Sequence, residues 1–165
     1  MTRPVRILAI APIFALVATS AYAMPMGGTF TVRYDQQNPQ PIAPNQVVID
    51  ERGTGVNRSP GQPFDNAQVS IVETVRLTAG QGPVKGTIVF TTPDGTSASP
   101  YTGKVTTDAQ GRMTATGTFK VSKATGAFAG LKGKGTFSTS FTSQTDQVTD
   151  WRGEFRPPAT VASNR

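Results

Sequence analysis

The sequence contains no cysteine and no histidine among its 165 residues. These absences exclude a disulfide framework, a Ser-His-Asp triad, a cysteine nucleophile and an ordinary zinc site. No segment has the 3.6-residue periodicity of an amphipathic helix, and charged residues make up only 16% of the chain. The fold must therefore be stable through packing alone, and carboxylates remain as the candidate groups for chemistry.

Long apolar runs are also scarce. Only Ile7–Ala18 is unbroken, and it is too short to span a bilayer, which takes about 20 residues. It follows two arginines and precedes the small residues Ala21 and Ala23, a pattern typical of a signal peptide with its cleavage site. We predict a signal peptide over residues 1–23, cleaved before Met24, and a secreted or periplasmic protein without a membrane span after cleavage. An uncleaved anchor is the alternative.

Basic residues exceed acidic ones, 16 against 10, for a formal charge of +6. Residues 1–23 hold two arginines and no acid, so cleavage would lower this charge to +4. Six basic residues and one acid, Asp108, lie between Lys104 and Lys134, spread over turns and strands. We expect a solvated basic face with no nucleic-acid partner; a patch for nucleic acid or anionic lipid is the alternative.

Period-two alternation of apolar and polar residues dominates the rest of the chain. Hairpin signals at 93–95 (PDG) and 108–112 (DAQGR) separate alternating runs. Two stretches rich in Pro, Gly, Asn and Gln, 36–46 and 52–66, predict long loops. The alternating segments are 29–34, 47–51, 67–77, 84–91, 101–107, 112–121, 133–142 and 147–155.

Eight antiparallel strands joined largely by hairpins must hide their edges. Closing into a barrel does so more completely than packing as a sandwich. The sequence therefore predicts an all-β fold, a single antiparallel closed β-barrel of about eight strands, over residues 24–165. Barrels of this size are filled by side chains or hold one small ligand.

A glycine-rich segment, GAFAGLKGKGTF at 126–137, raises the question of phosphate binding. It matches neither the P-loop spacing nor the dinucleotide fingerprint, and no helical pattern follows it. We interpret its glycines as structural. Gly126 and Gly130 would adopt positive φ in a tight crossover, and Gly133 and Gly135 would remove side chains where the barrel wall is crowded.

The pattern from Gly117 to Phe137, G-T-F-x-V…T-G-x-F-A-G-L-x-G-x-G-T-F, resembles the strand–loop–strand signature of the allene oxide cyclase and dirigent-type barrels. The resemblance is strongest to their small secreted bacterial relatives. It extends to GTGVNRSPGQPF and to GTIVFTTPDG…YTGKV, and covers about residues 53–137. It implies a barrel fold and an ability to oligomerise, but no catalytic residue can be matched position by position.

One carboxylate stands apart from the acids in predicted turns. Glu73 shares the inward face of its segment with Ile71 and Val75, where burial would raise its pKa. A bulge or a place near the barrel mouth is the alternative, and Glu51 is expected to be exposed at a strand end. Aromatic side chains on other inward faces complete a candidate ligand site: Phe90, Phe119, Phe137 and Trp151.

We therefore expect a small barrel protein that binds a small apolar molecule or acts through a surface interaction, with no cofactor or metal. The alternative is a cyclase- or isomerase-like enzyme that uses the buried carboxylate Glu73. A third interpretation is a structural envelope protein with a filled barrel. An open cavity beside a buried acid would favour the enzyme, and an open apolar cavity would favour binding.

Overall fold

The computed structural model describes residues 22–157, which form nine β-strands and one 3₁₀ turn, Gly126–Phe128. The predicted signal peptide lies outside the described residues except for Tyr22 and Ala23. Among residues 22–157, no helix is long and apolar enough to cross a membrane. The strands are β1 Met24–Ala43, β2 Gln46–Arg58, β3 Gln68–Thr78, β4 Gly82–Thr92, β5 Gly95–Thr107, β6 Met113–Lys120, β7 Lys123–Ala124, β8 Lys132–Phe141 and β9 Asp146–Arg156.

Eight of these strands close into an antiparallel barrel. Each pairs with its neighbours along the chain, from β1 through β6 to β8 and β9, and β9 returns to pair with β1. The two-residue β7 is an extra strand that pairs with Ser97 and Ala98 of β5. The predicted all-β, closed, eight-stranded antiparallel barrel is confirmed. Its inward positions form one continuous apolar core.

The first predicted long loop is wrong over most of its length, and the second is wrong over residues 52–58 only. The segment 36–46 belongs almost entirely to β1, whose Pro39 and Pro41 pair with Ile49 and Val47 of β2. Prolines are tolerated there because the pairing of β1 with β9 stops at Arg33, opposite the first residue of β9. The later part of β1 is therefore an edge strand.

The second predicted loop, 52–66, overlaps the end of β2, and the connection to β3 is only residues 59–67. Gly53 and Gly55 indicated a turn, but they serve a close approach of two strands instead. A Cβ on Gly55 would lie 1.7 Å from the backbone oxygen of Thr31 on β1. The glycine therefore permits pairing at a distance that a side chain would prevent.

One end of the barrel is closed by aromatic packing. Phe64, from the 59–67 connection, stacks on Phe90 at 5.4 Å between ring centroids and contacts Phe128 at 4.9 Å. Asn57 fixes this plug: its Nδ2 donates to the Phe64 oxygen at 2.7 Å, and its Oδ1 accepts from Trp151 Nε1 at 2.8 Å. This end of the lumen is therefore sealed.

The glycine-rich segment has the structural role that its sequence predicts. Gly126 and Gly130 have φ of 61° and 87°, in the left-handed region that favours glycine. Gly133 and Gly135 lie beneath aromatic rings: a Cβ on the first would be 2.3 Å from the Phe155 ring, and on the second 2.6 Å from that of Phe119.

Two glycines with positive φ differ in the space around them. Substituting each one therefore separates the cost of backbone strain from the cost of steric overlap. A Cβ at Gly126 would lie 2.1 Å from the Asp94 backbone oxygen, whereas Gly111, with φ of 79°, has nothing within 4 Å. We expect Gly126→Ala to lower the free energy of unfolding by about 2–4 kcal/mol and Gly111→Ala by about 1 kcal/mol. Urea unfolding measures both; equal losses would contradict a packed crossover.

Candidate functional site

A single cross-strand row builds a polar site inside the barrel. Glu51 on β2 pairs with Glu73 on β3, Glu73 pairs with Gly86 on β4, and Gly86 pairs with Tyr101 on β5. Both glutamates are buried, with 6% and 7% of their surface exposed. Glu73 lies inward as predicted. The expectation that Glu51 is exposed at a strand end is wrong, because β2 continues to Arg58 and Glu51 is in its middle.

Two tyrosines hold the Glu73 carboxyl group from opposite sides. The Tyr101 hydroxyl donates to Glu73 Oε2 at 2.5 Å, and the Tyr34 hydroxyl is hydrogen-bonded to Oε1. Tyr34 is also 3.0 Å from Oε1 of Gln147. A phenol has one proton, so Tyr34 cannot donate to two acceptors. The Gln147 atom that faces Tyr34 is an oxygen, which can only accept. Both contacts of the Tyr34 hydroxyl are therefore hydrogen bonds when a protonated Glu73 donates to Tyr34 and Tyr34 donates to Gln147.

Two backbone features make this contact between distant side chains possible. A Cβ on Gly86 would lie 2.6 Å from both the Tyr101 hydroxyl and Glu73 Cβ, so the glycine opens the space in which they meet. A register shift between Tyr34 and Gln36 inserts one extra residue into β1. Tyr34 and Gln37 then reach the same polar cluster, although in a regular strand they would face opposite sides.

Gln37 holds the second carboxyl group, at the open end of the cluster. Its Nε2 donates to Glu51 Oε1 at 2.7 Å and to the Gln144 backbone oxygen at 3.0 Å. This joins β1 and β2 to the β8–β9 turn across the mouth of the barrel. Within residues 22–157, no buried side-chain nitrogen or oxygen lacks a hydrogen-bond partner. Every buried side-chain nitrogen or oxygen of the cluster therefore has a hydrogen-bond partner.

Burial sets the protonation state of the cluster. Desolvation raises the pKa of Glu73 despite the lowering effect of hydrogen bonds from Tyr101, Tyr34 and Glu51. Desolvation likewise raises the pKa of Glu51 to about 7; the Gln37 hydrogen bond opposes this rise and the neighbouring Glu73 charge adds to it. Burial and then the Glu73 charge raise the pKa of both phenols above the ordinary value, so they stay protonated.

The predicted ligand residues come together around one small cavity. Glu73, Phe90, Phe119, Phe137 and Trp151 all line a space of about 50 Å³ in the lumen. Aromatic rings fill most of the remaining interior; Trp151, for example, lies 5.5 Å from Phe90 and 6.0 Å from Phe155 between ring centroids. The cavity has room for a few water molecules or one small chemical group.

A larger depression opens at the end opposite the Phe64 plug. Its volume is about 390 Å³, and the polar part of its wall comes from Glu51, Gln37, Ser143 and Gln144. Phe141, half-buried, lines both this depression and the inner cavity, so it stands between them. The apolar part of the wall comes from Ile49, Val75, Leu77, Val105, Met113 and Phe141.

Sequence reasoning missed most of the polar cluster. The alternation puts Tyr34 on one face with Phe30 and Val32, and Tyr101 on one face with Val105, but no pattern shows that both tyrosines reach one carboxyl group. Gln37 was assigned to a loop, and Gly86 carried no visible role. The usable signal was an acidic residue, Glu73, on an otherwise aliphatic strand face, because a buried acid needs hydrogen-bond donors on adjoining strands.

Within residues 22–157, no group of three or more His, Cys, Asp or Glu side chains is placed to hold a metal ion. The two buried carboxyl groups and two phenols instead form an acid and hydrogen-bonding centre. No family model matches the chain, and no curated protein matches it either. Membership in the allene oxide cyclase and dirigent-type barrels therefore stays a prediction from the motifs.

The raised carboxyl pKa values predict how stability depends on pH. Native Glu51 and Glu73 hold their protons more tightly than the unfolded chain does, so the stability that each contributes is complete below about pH 4.5 and is lost as pH rises through its folded pKa, which for Glu51 is about 7. We expect Glu51→Gln to reduce the fall in unfolding free energy between pH 5 and 8 by an amount on the order of 2 kcal/mol, and Glu73→Gln to reduce that fall as well.

The matched control is Glu154→Gln, which removes an exposed carboxylate from the outer wall. Denaturant unfolding at a series of pH values gives the slopes. The buried-carboxyl interpretation would be contradicted if the two interior variants and the control kept the slope of the unaltered protein.

Proposed function

We propose that the protein binds a small, largely apolar molecule at the open end of the barrel. The carrying observation is the depression of about 390 Å³, apolar over most of its wall, with Glu51 at its polar side. Binding sites for small molecules have volumes of about 300–1,000 Å³ and combine apolar walls with a few placed polar groups. The depression meets both criteria.

The inner cavity limits how deep such a ligand can reach. At about 50 Å³ it has space for one small group, not for a whole ligand. The proposed ligand therefore rests its body against Val75, Leu77 and Met113. A small substituent would pass Phe141 toward Glu73.

The polar cluster restricts the head group of the ligand. Glu51 lies in the wall of the site, Glu73 lies behind it at the inner cavity, and both phenols are hydrogen-bonded to Glu73. An anionic head group would meet the charge of any ionised carboxylate in a poorly solvated place. An uncharged head with a hydroxyl or carbonyl oxygen fits better, because a neutral carboxyl group both donates and accepts hydrogen bonds.

The same pair favours a second candidate function, a cyclase- or isomerase-like reaction. A general acid or base works best when its pKa is near the working pH, and burial brings the pKa of Glu51 to about 7. Glu51 would exchange a proton with a bound substrate at the depression, and Glu73 would hold its proton for the tyrosine bonds. Membership in the allene oxide cyclase and dirigent-type barrels, inferred from the motifs, agrees with either function.

We also propose that the chain is exported and cleaved after Ala23. The support is the position of β1, which begins at Met24 and pairs with Phe155 of β9. Cleavage there would remove residues before the barrel and leave every strand intact.

The binding proposal predicts that a neutral apolar fluorophore will occupy the open end. We expect 1-aminoanthracene to bind with one-to-one stoichiometry and a micromolar Kd, measured by its emission in titrations. Met113→Trp, which places a larger ring in the depression, should weaken binding at least tenfold. Met24→Trp, the same exchange at an exposed residue that does not line the depression, should leave the Kd within about twofold.

Equal Kd values for the Met113 and Met24 variants would contradict binding at the open end. Glu51→Gln separates the two candidate functions. In either case the variant should bind with an affinity close to that of the unaltered protein. Only an enzyme would in addition lose the turnover of a substrate analogue.

Export predicts a defined N-terminus. The protein collected from the medium or periplasm should begin at Met24 when sequenced by Edman degradation. Ala23→Phe places a large side chain at the proposed cleavage position and should slow processing, which a size shift on electrophoresis would show. Exported protein that retains Met1 would contradict the proposal.

A further inference from the structure

The outer wall of the barrel over β5, β6, β8 and β9 carries a broad groove of about 980 Å³. Its polar lining combines hydroxyls and cations, Thr102, Thr118, Thr136, Lys120, Lys134 and Arg152, with one acid, Glu154. We propose that this groove binds an anionic polysaccharide. The inference does not depend on the function proposed for the open end.

Like charges face each other across this wall. Lys120 on β6 pairs directly with Lys134 on β8, and Lys132 on β8 pairs with Arg156 on β9. Like charges in directly opposite positions destabilise a sheet. The pairing costs folding energy, and an anionic ligand would remove that cost.

Little within the protein neutralises these cations. One acid, Glu154, pairs with Lys134 in the register, but no ion pair forms between them; within residues 22–157 the only ion pair joins Arg112 and Asp108. The side chains at 120, 132, 134, 152 and 156 are all exposed. The five cations therefore outnumber the two acids on the same face of β9, Glu154 and Asp150, and can meet a ligand with repeated negative charges.

A row of hydroxyl groups lies beside the cations. Thr102 pairs with Thr118, and Thr118 pairs with Thr136, so the three threonines cross three neighbouring strands at a spacing of about 4.8 Å. In the part of the chain that the structure describes, none of the three makes a side-chain hydrogen bond. Their hydroxyls can donate and accept, which suits the hydroxyl groups of a sugar chain.

The same wall is poorly suited to nucleic acid. Binding of single strands relies on aromatic side chains on which bases stack. None of the large apolar side chains exposed within residues 22–157 lies on β5, β6, β8 or β9; they are Tyr22, Met24, Ile42, Val56 and Val72. Hydroxyls and amines without exposed rings favour a charged sugar polymer over a stack of bases.

The test compares two polymers that differ only in charge. Polygalacturonate carries one carboxylate on each sugar, and its methyl ester keeps the sugars and hydroxyls without the charge. We expect polygalacturonate to bind by isothermal titration calorimetry and the ester to bind at least tenfold more weakly. Lys120→Gln combined with Lys134→Gln should weaken binding of polygalacturonate about tenfold or more.

The charge-matched control is Arg76→Gln combined with Lys85→Gln, which removes two exposed cations from β3 and β4 and should change the Kd by less than about twofold. Thr118→Val combined with Thr136→Val keeps every charge and should still weaken binding. Thermal unfolding checks that the variants fold, and single variants Lys134→Gln and Arg152→Gln replace any pair that does not.

Two results would overturn the proposal. One is equal weakening by the β3–β4 control pair, which would mean attraction to net charge alone. The other is binding of inorganic polyphosphate or single-stranded DNA as tight as that of polygalacturonate, with no effect of the threonine variants, which would mean that the wall does not recognise sugar.

Discussion

The hydrogen bonds between two tyrosines and one buried carboxyl group organise the interior of this barrel. Glu73 lies among aliphatic side chains, where an unpartnered charge would be costly, and Tyr101 and Tyr34 reach it from β5 and β1. That meeting requires a closed sheet, because the three residues belong to strands that are brought within reach only by curvature. It also requires Gly86, since any side chain there would occupy the position of the Tyr101 hydroxyl.

The polar cluster divides the barrel into two unequal ends. Below it, aromatic rings from several strands and the Phe64 plug fill the lumen, which leaves about 50 Å³ of space. Above it, Glu51 and Gln37 border a depression of about 390 Å³. A filled end supplies the packing that a chain without disulfides needs, and the other end holds the depression for which we propose a ligand. The proposed site therefore lies at the end of the barrel where fewer side chains pack together in the lumen.

The inner and outer faces of the barrel wall carry different kinds of side chain, because successive residues of a strand point to opposite faces. On β6 and β8 the inward positions include Phe119 and Gly135, where a ring lies over a glycine, while the outward positions carry threonine and lysine. Removing side chains inside lets the wall bend strongly. The bend and the outward row of hydroxyls and cations together form the groove for which we propose a charged sugar polymer.

Local pattern in the sequence determined the all-β class, the number of long strands, the inward faces and the burial of Glu73, because period-two alternation depends only on neighbours in the chain. Positive φ at Gly126 and Gly130 was likewise predictable from turn chemistry. Tertiary structure alone decided the pairing of Glu51 with Glu73, the role of Gly86 and the inward turn of Gln37. These depend on strand register and on the one-residue bulge in β1, which reverses the face of the residues that follow it, up to the second register shift after Pro41. For the same reason, the prolines and glycines of 36–46 and 52–66 predicted loops, although pairing with neighbouring strands stabilises 36–43 and 52–58 as sheet.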